Sequence, residues 1–224
     1  MQADLKTSIF FNISKELELL ELPISILMFL GENYKNWFHR LMESHGFLGQ
    51  SIIKGDVDSR AIIGENVYIS EGAKVEPYAM INGPCFLAPG AVVRHAAYLR
   101  GYVYAAKGAV IGHTTEVKES FFFPEAKAAH FAYIGNSVLG SHVNLGAGVK
   151  IANLKLRKDI VSITHPELNK PQSTGLKKMG AIIGDNVQIG CNAVLSPGSL
   201  LLPGTGVFPT KHFHGTLKSG FFKS

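Results

Sequence analysis

The sequence from Val57 to Val117 reads VDSRAIIGENVYISEGAKVEPYAMINGPCFLAPGAVVRHAAYLRGYVYAAKGAVIGHTTEV. Every sixth residue of this stretch is aliphatic, in the series Val57, Ile63, Ile69, Val75, Ile81, Leu87, Val93, Leu99, Ala105, Ile111 and Val117. The pattern resumes later at Ile183, Ile189, Leu195, Leu201 and Val207. A period of six differs from the two-residue alternation of an ordinary strand and from the helical period of about 3.6 residues.

A six-residue period with one aliphatic position predicts a short strand followed by a turn, repeated along the chain. Three such units close a coil of eighteen residues, with the aliphatic side chains stacked inside and adjacent coils about 4.8 Å apart. The sequence therefore predicts an all-β fold, a parallel β-helix of hexapeptide repeats, and such helices are normally left-handed. A β-sandwich is the alternative, but it would show two-residue alternation.

The composition agrees with a fold of short strands and tight turns. The 224 residues include 24 glycines, and 17% are charged, below the average of about 25%. Cys85 and Cys191 cannot form a disulfide framework, so a cytoplasmic location is expected. A net charge of +5 permits anionic ligands, and no nucleic-acid partner is predicted. The longest apolar run, Leu22 to Leu30, is shorter than the roughly 20 residues of a membrane span, and no signal peptide is predicted.

Residues 1–50 predict an N-terminal helical arm. Glu16 to Leu20 begins as a helix, Pro23 interrupts it, and a helical stripe follows. The stripe consists of Tyr34, Trp37, Phe38, Leu41 and Met42. We expect it to pack on the first coil or on a neighbouring subunit, with a partner-binding site as the alternative.

Residues 51–210 predict the β-helix, and residues 211–224 a C-terminal tail. Residues 152–180 break the repeat as one long inserted loop with six cations against two acids. A loop of this length is more often functional than decorative. Residues 118–151 keep the aliphatic positions, but two steps of five residues shift the register, and such irregular coils often mark a site.

Two pairs of residues are eighteen apart and should stack on adjacent coils. Arg100 and Lys118 would form a phosphate clamp or be two solvated charges. His95 and His113 would ligate a metal shared between subunits, or be exposed or packed residues. We favour the second interpretation for the histidines and predict no metal.

His130 lies inside the shifted region. A histidine alone in such a place is more often a structural residue, but its neighbours suggest a site. Tyr133 follows it, the small residues of Asn144–Gly148 leave the backbone open to a ligand, and Asn153 begins the basic loop.

Residues 98–154 resemble the acetyltransferase β-helix of the bifunctional glucosamine-1-phosphate acetyltransferase/N-acetylglucosamine-1-phosphate uridyltransferases. The matching segments are Ile111-Gly112-His113, Glu116-Val117-Lys118, Lys127-Ala128-Ala129-His130, Tyr133-Ile134-Gly135 and Asn144 through Gly148. Ala152-Asn153-Leu154 and Leu176 through Asn186 resemble the archaeal-type members most. The resemblance extends over roughly 55–210.

This resemblance implies roles for single residues. His130 matches the general base, and a neutral imidazole can accept a proton at physiological pH. Asn153 matches an asparagine at the acetyl site, where it would position the amine or the thioester carbonyl. The substrate-binding positions are matched by Arg100, Lys118, Tyr133 and Asn144, and Ala147 matches a position whose backbone contacts acetyl-CoA.

The implied activity is acetyl-CoA-dependent N-acetylation of an amino-sugar phosphate, glucosamine-1-phosphate above all, for UDP-N-acetylglucosamine and cell-envelope precursor synthesis. The resemblance further implies a homotrimer with sites between subunits. Leu154 departs from the bacterial pattern, and Phe123-Pro124 replaces the usual Leu-Gly step. No nucleotide-binding loop occurs in residues 1–50, so we expect no uridyltransferase activity and a separate uridyltransferase as pathway partner. The alternatives are a non-catalytic trimeric β-helix, acting as a scaffold or a sugar-nucleotide-binding protein, and a metal-dependent hydratase.

Overall fold

The computed structural model describes residues 5–13, 22, 25–167 and 169–223. Three sheets of parallel strands wind around one axis as a left-handed β-helix, which confirms the predicted fold. The first sheet contains β1 (Ile52–Ile53), β4 (Val67–Ile69), β7 (Cys85–Leu87), β10 (Val103–Ala105), β13 (Ser120–Phe122), β16 (Val138–Leu139), β21 (Ala181–Ile183), β24 (Ser199–Leu201) and β27 (Thr216–Leu217). The second sheet contains β2 (Asp56–Val57), β5 (Lys74–Val75), β8 (Val92–Val93), β11 (Val110–His113), β14 (Lys127–His130), β17 (Asn144–Leu145), β22 (Gln188–Ile189), β25 (Gly206–Val207) and β28 (Phe221–Phe222). The third sheet contains β3 (Ile62–Ile63), β6 (Met80–Asn82), β9 (Tyr98–Arg100), β12 (Glu116–Lys118), β15 (Tyr133–Gly135), β18 (Lys150–Ile151), β23 (Val194–Leu195) and β26 (His212–Phe213).

The residues of the six-residue series line the interior. From Ile69 onward all of them are buried, and Val57 and Ile63 pack partly buried against the same core at its N-terminal end. The shifted region contributes in the same way, with Phe122, Ala128 and Ile134 buried. The apolar interior therefore runs unbroken through the region where the repeat changes.

The coils shorten in that region. Val92 pairs with Val110, eighteen residues later, whereas Val110 pairs with Lys127 and Lys127 with Asn144, each seventeen residues later. One residue is lost in each of these two coils, at the step of five between Val117 and Phe122 and at the step of five between Ile134 and Leu139. The positions that stack on adjacent coils there are consequently seventeen residues apart.

The N-terminal arm covers the outer face of the first sheet. Its helix α1 (Gly31–Ser44) buries the predicted stripe, and short 3-10 helices span Thr7–Ile9 and Ile26–Phe29. The rings of Tyr68, Phe86, Tyr104 and Phe121 stack along the sheet with centroids 4.6–5.2 Å apart. Trp37 contacts two of these rings, at 5.7 and 5.8 Å. The arm thus spans several coils rather than only the first one, and the predicted start at Glu16–Leu20 and Pro23 lies outside the described residues.

The inserted loop folds back beside the arm. It contains an antiparallel hairpin of β19 (Ser162–Thr164) and β20 (Pro171–Ser173). Val161 and Ile163 join the apolar cluster under the arm. Near the start of the loop Leu156 is completely exposed.

The C-terminal residues differ from the expectation of a tail beyond residue 210. Three strands, β26, β27 and β28, continue the three sheets in parallel register. The six-residue pattern did not predict this last coil, because its spacing is irregular. The inward residues there are four and five residues apart rather than six, at Phe213, Leu217 and Phe222. Both cysteines are free thiols. Across the described ranges, no helix has the length and apolarity to span a membrane.

Candidate functional site

Polar side chains gather on the outer face of the third sheet, where the coils shorten. Glu116 lies in register between Tyr98 and Tyr133. Arg100 and Lys118 occupy the next outward line, two residues after Tyr98 and Glu116. The structure therefore brings three of the predicted substrate-binding residues onto one face.

Each of the two cations has a carboxylate partner that the sequence analysis missed. Arg100 Nη1 donates to Glu116 Oε1 at 2.7 Å, and Lys118 Nζ lies 3.1 Å from Glu119 Oε1. These carboxylates offset the repulsion between neighbouring cations. A bound phosphate would therefore compete with Glu116 and Glu119 for the cations.

A second set of bonds joins the predicted Asn153 to this face. Asn153 Nδ2 donates to Asn136 Oδ1 at 2.6 Å, and Asn136 Nδ2 donates to Glu119 Oε2 at 2.8 Å. The hydroxyl of Tyr133 donates to Asn153 Oδ1 over a longer 3.4 Å. The region around Tyr133 is thus one connected polar network.

The Tyr133 hydroxyl stays protonated in this setting. Burial raises the pKa of Tyr133 above its ordinary value of 10.0, and the charge of Glu116 raises it further. Arg100 and the hydrogen bond with Asn153 act in the opposite direction, but their effect is smaller. Tyr133 is therefore a hydrogen-bond donor at neutral pH.

The predicted base lies at the corner between the second and third sheets. His130 ends β14, its side chain is exposed, and it pairs in register with His113. The rings of His113 and His95 stack with centroids 5.4 Å apart. His95, His113 and His130 thus form a line along three coils, which a constant step of eighteen does not predict.

The predicted acetyl-CoA position follows His130 on the next coil. The backbone N–H of Gly148 donates to the carbonyl of His130 at 3.1 Å, and Ala147 precedes it directly. Asn144 pairs with Lys127 and is exposed on the outer face of the second sheet. The predicted residues therefore divide between two faces that meet at the corner after His130.

Sequence reasoning missed three residues of this site, Glu116, Glu119 and Asn136, and one spacing connects them to residues that it found. Glu119, Asn136 and the predicted Asn153 follow one another at seventeen residues, the length of the shortened coil. Glu116 precedes Tyr133 by the same interval. A search at seventeen residues from Asn153 and Tyr133 would have found all three.

The part of the chain that the structure describes contains no group of three or more His, Cys, Asp or Glu side chains that could hold a metal ion. His95 and His113 stack on each other, as expected for residues eighteen apart on adjacent coils of full length.

Comparisons with known proteins place this geometry in context. The family model described as the GMPPB C-terminal domain matches residues 81–203. A relative named bifunctional protein GlmU, from Methanococcus maripaludis, is 36% identical over 160 residues, which cover 70% of this chain and 38% of the relative. The chain therefore spans less than half the length of this archaeal relative.

A relative of similar length comes from Escherichia coli O6:K15:H31 and is named uncharacterized acetyltransferase YaiX. It is 32% identical over 194 residues, which cover 86% of this chain and 81% of the relative. Among solved structures, the polySia-specific acetyltransferase NeuO is similar with a TM-score of 0.37 and 14% identity, over 76% of this chain and 79% of that chain.

Proposed function

Because the chain belongs to the family of the GMPPB C-terminal domain, and its relatives include proteins named as acetyltransferases, we propose that it is a hexapeptide-repeat acyltransferase. Its reaction is the acetyl-CoA-dependent N-acetylation of an amino-sugar phosphate, and glucosamine-1-phosphate is the first candidate. The observation that carries this proposal is the arrangement of His130 beside the corner that leads to Tyr133, with Arg100 and Lys118 on the face that follows.

His130 acts as the general base. The amine nitrogen attacks the thioester carbonyl, the C–N bond forms, and the C–S bond breaks. His130 takes the proton that the nitrogen loses and passes it to the departing thiolate, so coenzyme A leaves as a thiol and the imidazole returns to its neutral form. The exposed imidazole is accessible to both substrates, and no covalent enzyme intermediate is needed.

The phosphate of the acceptor binds Arg100 and Lys118. Guanidinium and ammonium groups form charge-assisted hydrogen bonds with phosphate, and here they exchange their bonds with Glu116 and Glu119 for bonds with the ligand. Tyr133 and Asn153 contact the sugar near its amine, and Asn144 contacts it from the second sheet.

The residues around Ala147 suit the acetyl donor. Gly146 and Ala147 follow His130 on the next coil and present only small side chains, whereas Gly148 is buried beneath the side chains of Phe131 and Asn192. A Cβ atom at Gly146 would lie 2.6 Å from the backbone nitrogen of Cys191. The close approach of the next coil therefore excludes a side chain at this position. The pantetheine arm lies over this surface, with the Ala147 backbone as a contact and the thioester next to His130.

Three copies of the chain form the active assembly. The arm occupies the outer face of the first sheet, so the second and third sheets remain for contacts between subunits. The corner of His130 lies between those two sheets, so each site is completed by a neighbouring copy. A separate cytoplasmic uridyltransferase would consume the product for UDP-N-acetylglucosamine and cell-envelope precursors.

The test is the release of thiol from acetyl-CoA in the presence of glucosamine-1-phosphate. Wild type should release thiol in proportion to acceptor, and His130→Ala should lower kcat by about a hundredfold or more, the usual contribution of general-base catalysis. His39→Ala, which removes an exposed histidine from α1, is the matched control and should retain full activity. Absence of release with every amino-sugar phosphate in a panel would contradict the enzyme and favour the non-catalytic trimeric scaffold or a sugar-nucleotide-binding protein.

A further inference from the structure

One ion pair and three hydrogen bonds between side chains lead from Lys118 to Tyr133. Lys118 contacts Glu119 at 3.1 Å, and Glu119 accepts from Asn136 at 2.8 Å. Asn136 in turn accepts from Asn153 at 2.6 Å, and Asn153 accepts from Tyr133 at 3.4 Å. All these groups lie on two adjacent shortened coils and the start of the inserted loop.

This series of bonds has a direction, and Glu119 sets it. An ionised carboxylate only accepts hydrogen bonds, so Asn136 must turn its amino group toward Glu119. The carbonyl oxygen of Asn136 then faces Asn153, and Asn153 must donate to it from its own amino group. The carbonyl oxygen of Asn153 is thereby directed to Tyr133.

Backbone hydrogen bonds hold the main chain of Asn136 and Asn153 in place. Asn136 is 2% exposed, its N–H donates to the carbonyl of Lys118 at 2.9 Å, and its carbonyl accepts from Gly180 at the same distance. The carbonyl of Asn153 accepts from Met179 at 3.0 Å. The side-chain amides are held by their own hydrogen bonds to Glu119, to each other and to Tyr133, so rotation of either amide would need these bonds to reverse.

Gly135 provides the space beneath this arrangement. A Cβ atom at Gly135 would lie 2.6 Å from Asn153 Nδ2 and 2.9 Å from the hydroxyl of Tyr133. The glycine thus allows the two side chains to lie across the strand.

We propose that Glu119 and Asn136 are positioning residues that fix the orientation of the Asn153 amide, so that its oxygen rather than its nitrogen is presented beside Tyr133. The consequence for chemistry rests on the proposed function. An oxygen at this place accepts a hydrogen bond from the N–H of an amine acceptor, whereas the opposite orientation would donate to the thioester carbonyl. Through the orientation that Glu119 and Asn136 impose, Asn153 therefore binds the amine of the acceptor rather than the carbonyl of the thioester.

Three variants separate orientation from packing. In Glu119→Gln the side chain at position 119 can donate as well as accept, so both amide orientations become possible. In Asn136→Asp two carboxylates face each other, and like charges at this distance destabilise the arrangement. The third variant combines Glu119→Gln with Asn136→Asp. The carboxylate introduced at position 136 then accepts from the amide groups at positions 119 and 153, so the original orientation of Asn153 returns.

Kinetics provide the first readout. Each single variant should lower kcat at saturating substrates by about tenfold, since misplacement of a contact by a fraction of an ångström carries costs of this order. The double variant should recover most of that loss. KM for the acceptor is measured separately, because Glu119 also pairs with Lys118. Glu71→Gln, an exposed carboxylate on an early coil, is the matched control and should leave kcat unchanged.

The side-chain amide signals of 15N-asparagine provide a readout that needs no activity. Wild type should give one set of signals for Asn153 with slowed proton exchange, Glu119→Gln should give broadened or doubled signals, and the double variant should again give one set. Unchanged signals and unchanged kcat in both single variants, or a double variant worse than either, would overturn the positioning role. An inactive wild type with the expected amide signals would contradict the proposed function but support the orientation.

Discussion

Arg100 on β9 and Glu116 on β12 form a hydrogen-bonded ion pair of 2.7 Å across adjacent coils. The pair holds the guanidinium on the outer face of the third sheet, where a phosphate would arrive. Both side chains remain partly exposed, so a dianionic ligand can take the place of the carboxylate. The phosphate of the proposed substrate must therefore displace the Glu116 carboxylate from Arg100 in order to bind.

Arg100→Ala should accordingly raise KM for the sugar phosphate. Loss of a hydrogen bond with a charged group costs about 1.5–3 kcal/mol, which corresponds to about ten- to a hundredfold in KM. Initial rates over a range of acceptor concentrations measure this change. Arg60→Ala, which removes a similar ion pair with Asp58 on the first coil, should leave KM unaltered. An unchanged KM in Arg100→Ala would exclude Arg100 as a phosphate ligand.

Tyr133→Phe should lower kcat/KM by about two- to tenfold, because one neutral hydrogen bond is lost. Because the pKa of Tyr133 is raised above 10.0, its hydroxyl is mostly protonated at any pH below that value. Any fall in rate with rising pH that occurs below pH 10.0 should therefore be the same in wild type and in Tyr133→Phe. Full pH–rate profiles of both proteins test this, and an alkaline decline that vanishes in Tyr133→Phe would show that the phenol ionises earlier.

The sequence predicted the solenoid well because one aliphatic position per rung is enough to define its interior. Stacking on the outer faces was predicted less well. A constant coil of eighteen residues would place Phe131 next to His113, but the structure pairs His113 with His130. Since hydrogen bonds between coils follow true register, the loss of a single residue at a turn moves every later partner.

The arm shows a second limit. The helical stripe predicted a buried face, but the partner of that face lies in the β-helix. Tyr68, Phe86, Tyr104 and Phe121 occupy outward positions spaced by whole coils, so an aromatic line on a single outer face was visible in the sequence. Outward aromatic residues at this spacing indicate a face that another segment covers.

Trp37→Ala should strongly destabilise the protein. The indole is 5% exposed and packs on Tyr104 and Phe121, and removal of a buried aromatic side chain costs about 3–5 kcal/mol. Urea unfolding followed by circular dichroism measures the loss. His39→Ala, on the exposed side of α1, should change the free energy of unfolding by less than about 0.5 kcal/mol. A small effect of Trp37→Ala would mean that the arm contributes little to the stability of the β-helix.

Leu156→Ser should weaken self-association. Leu156 is fully exposed in the single chain, and burial of a leucine side chain at a subunit contact contributes about 1.5–3 kcal/mol. Sedimentation equilibrium should show trimers for wild type and a shift toward monomers for the variant. Leu48→Ser, at the end of the arm, is the control and should remain trimeric. A monomeric wild type would contradict the proposed assembly. Unchanged self-association in Leu156→Ser would show that the inserted loop does not form the subunit contact.

Asp185 should make stability depend on pH through its contacts with the N-terminal segment. Its carboxylate accepts the backbone N–H groups of Asn12 and Ser141, both at 2.7 Å. Burial nevertheless raises the pKa of Asp185 above its ordinary value of 3.8, while these two bonds and the charge of His142 lower it less. The folded protein therefore binds this proton more tightly than the unfolded chain. The resulting stabilisation is fully present below pH 3.8 and is lost as the pH rises through the raised pKa.

Asp185→Asn removes this titration. The difference in unfolding free energy between wild type and variant should shift in favour of the variant as the pH rises from 3.8, and it should become constant once Asp185 is ionised in the folded protein. Urea unfolding at a series of pH values between about 3.5 and 7 measures it. Asp56→Asn, at an exposed position on the first coil, should follow wild type throughout. A difference independent of pH would show that the bonds from Asn12 and Ser141 compensate fully for burial of the charge.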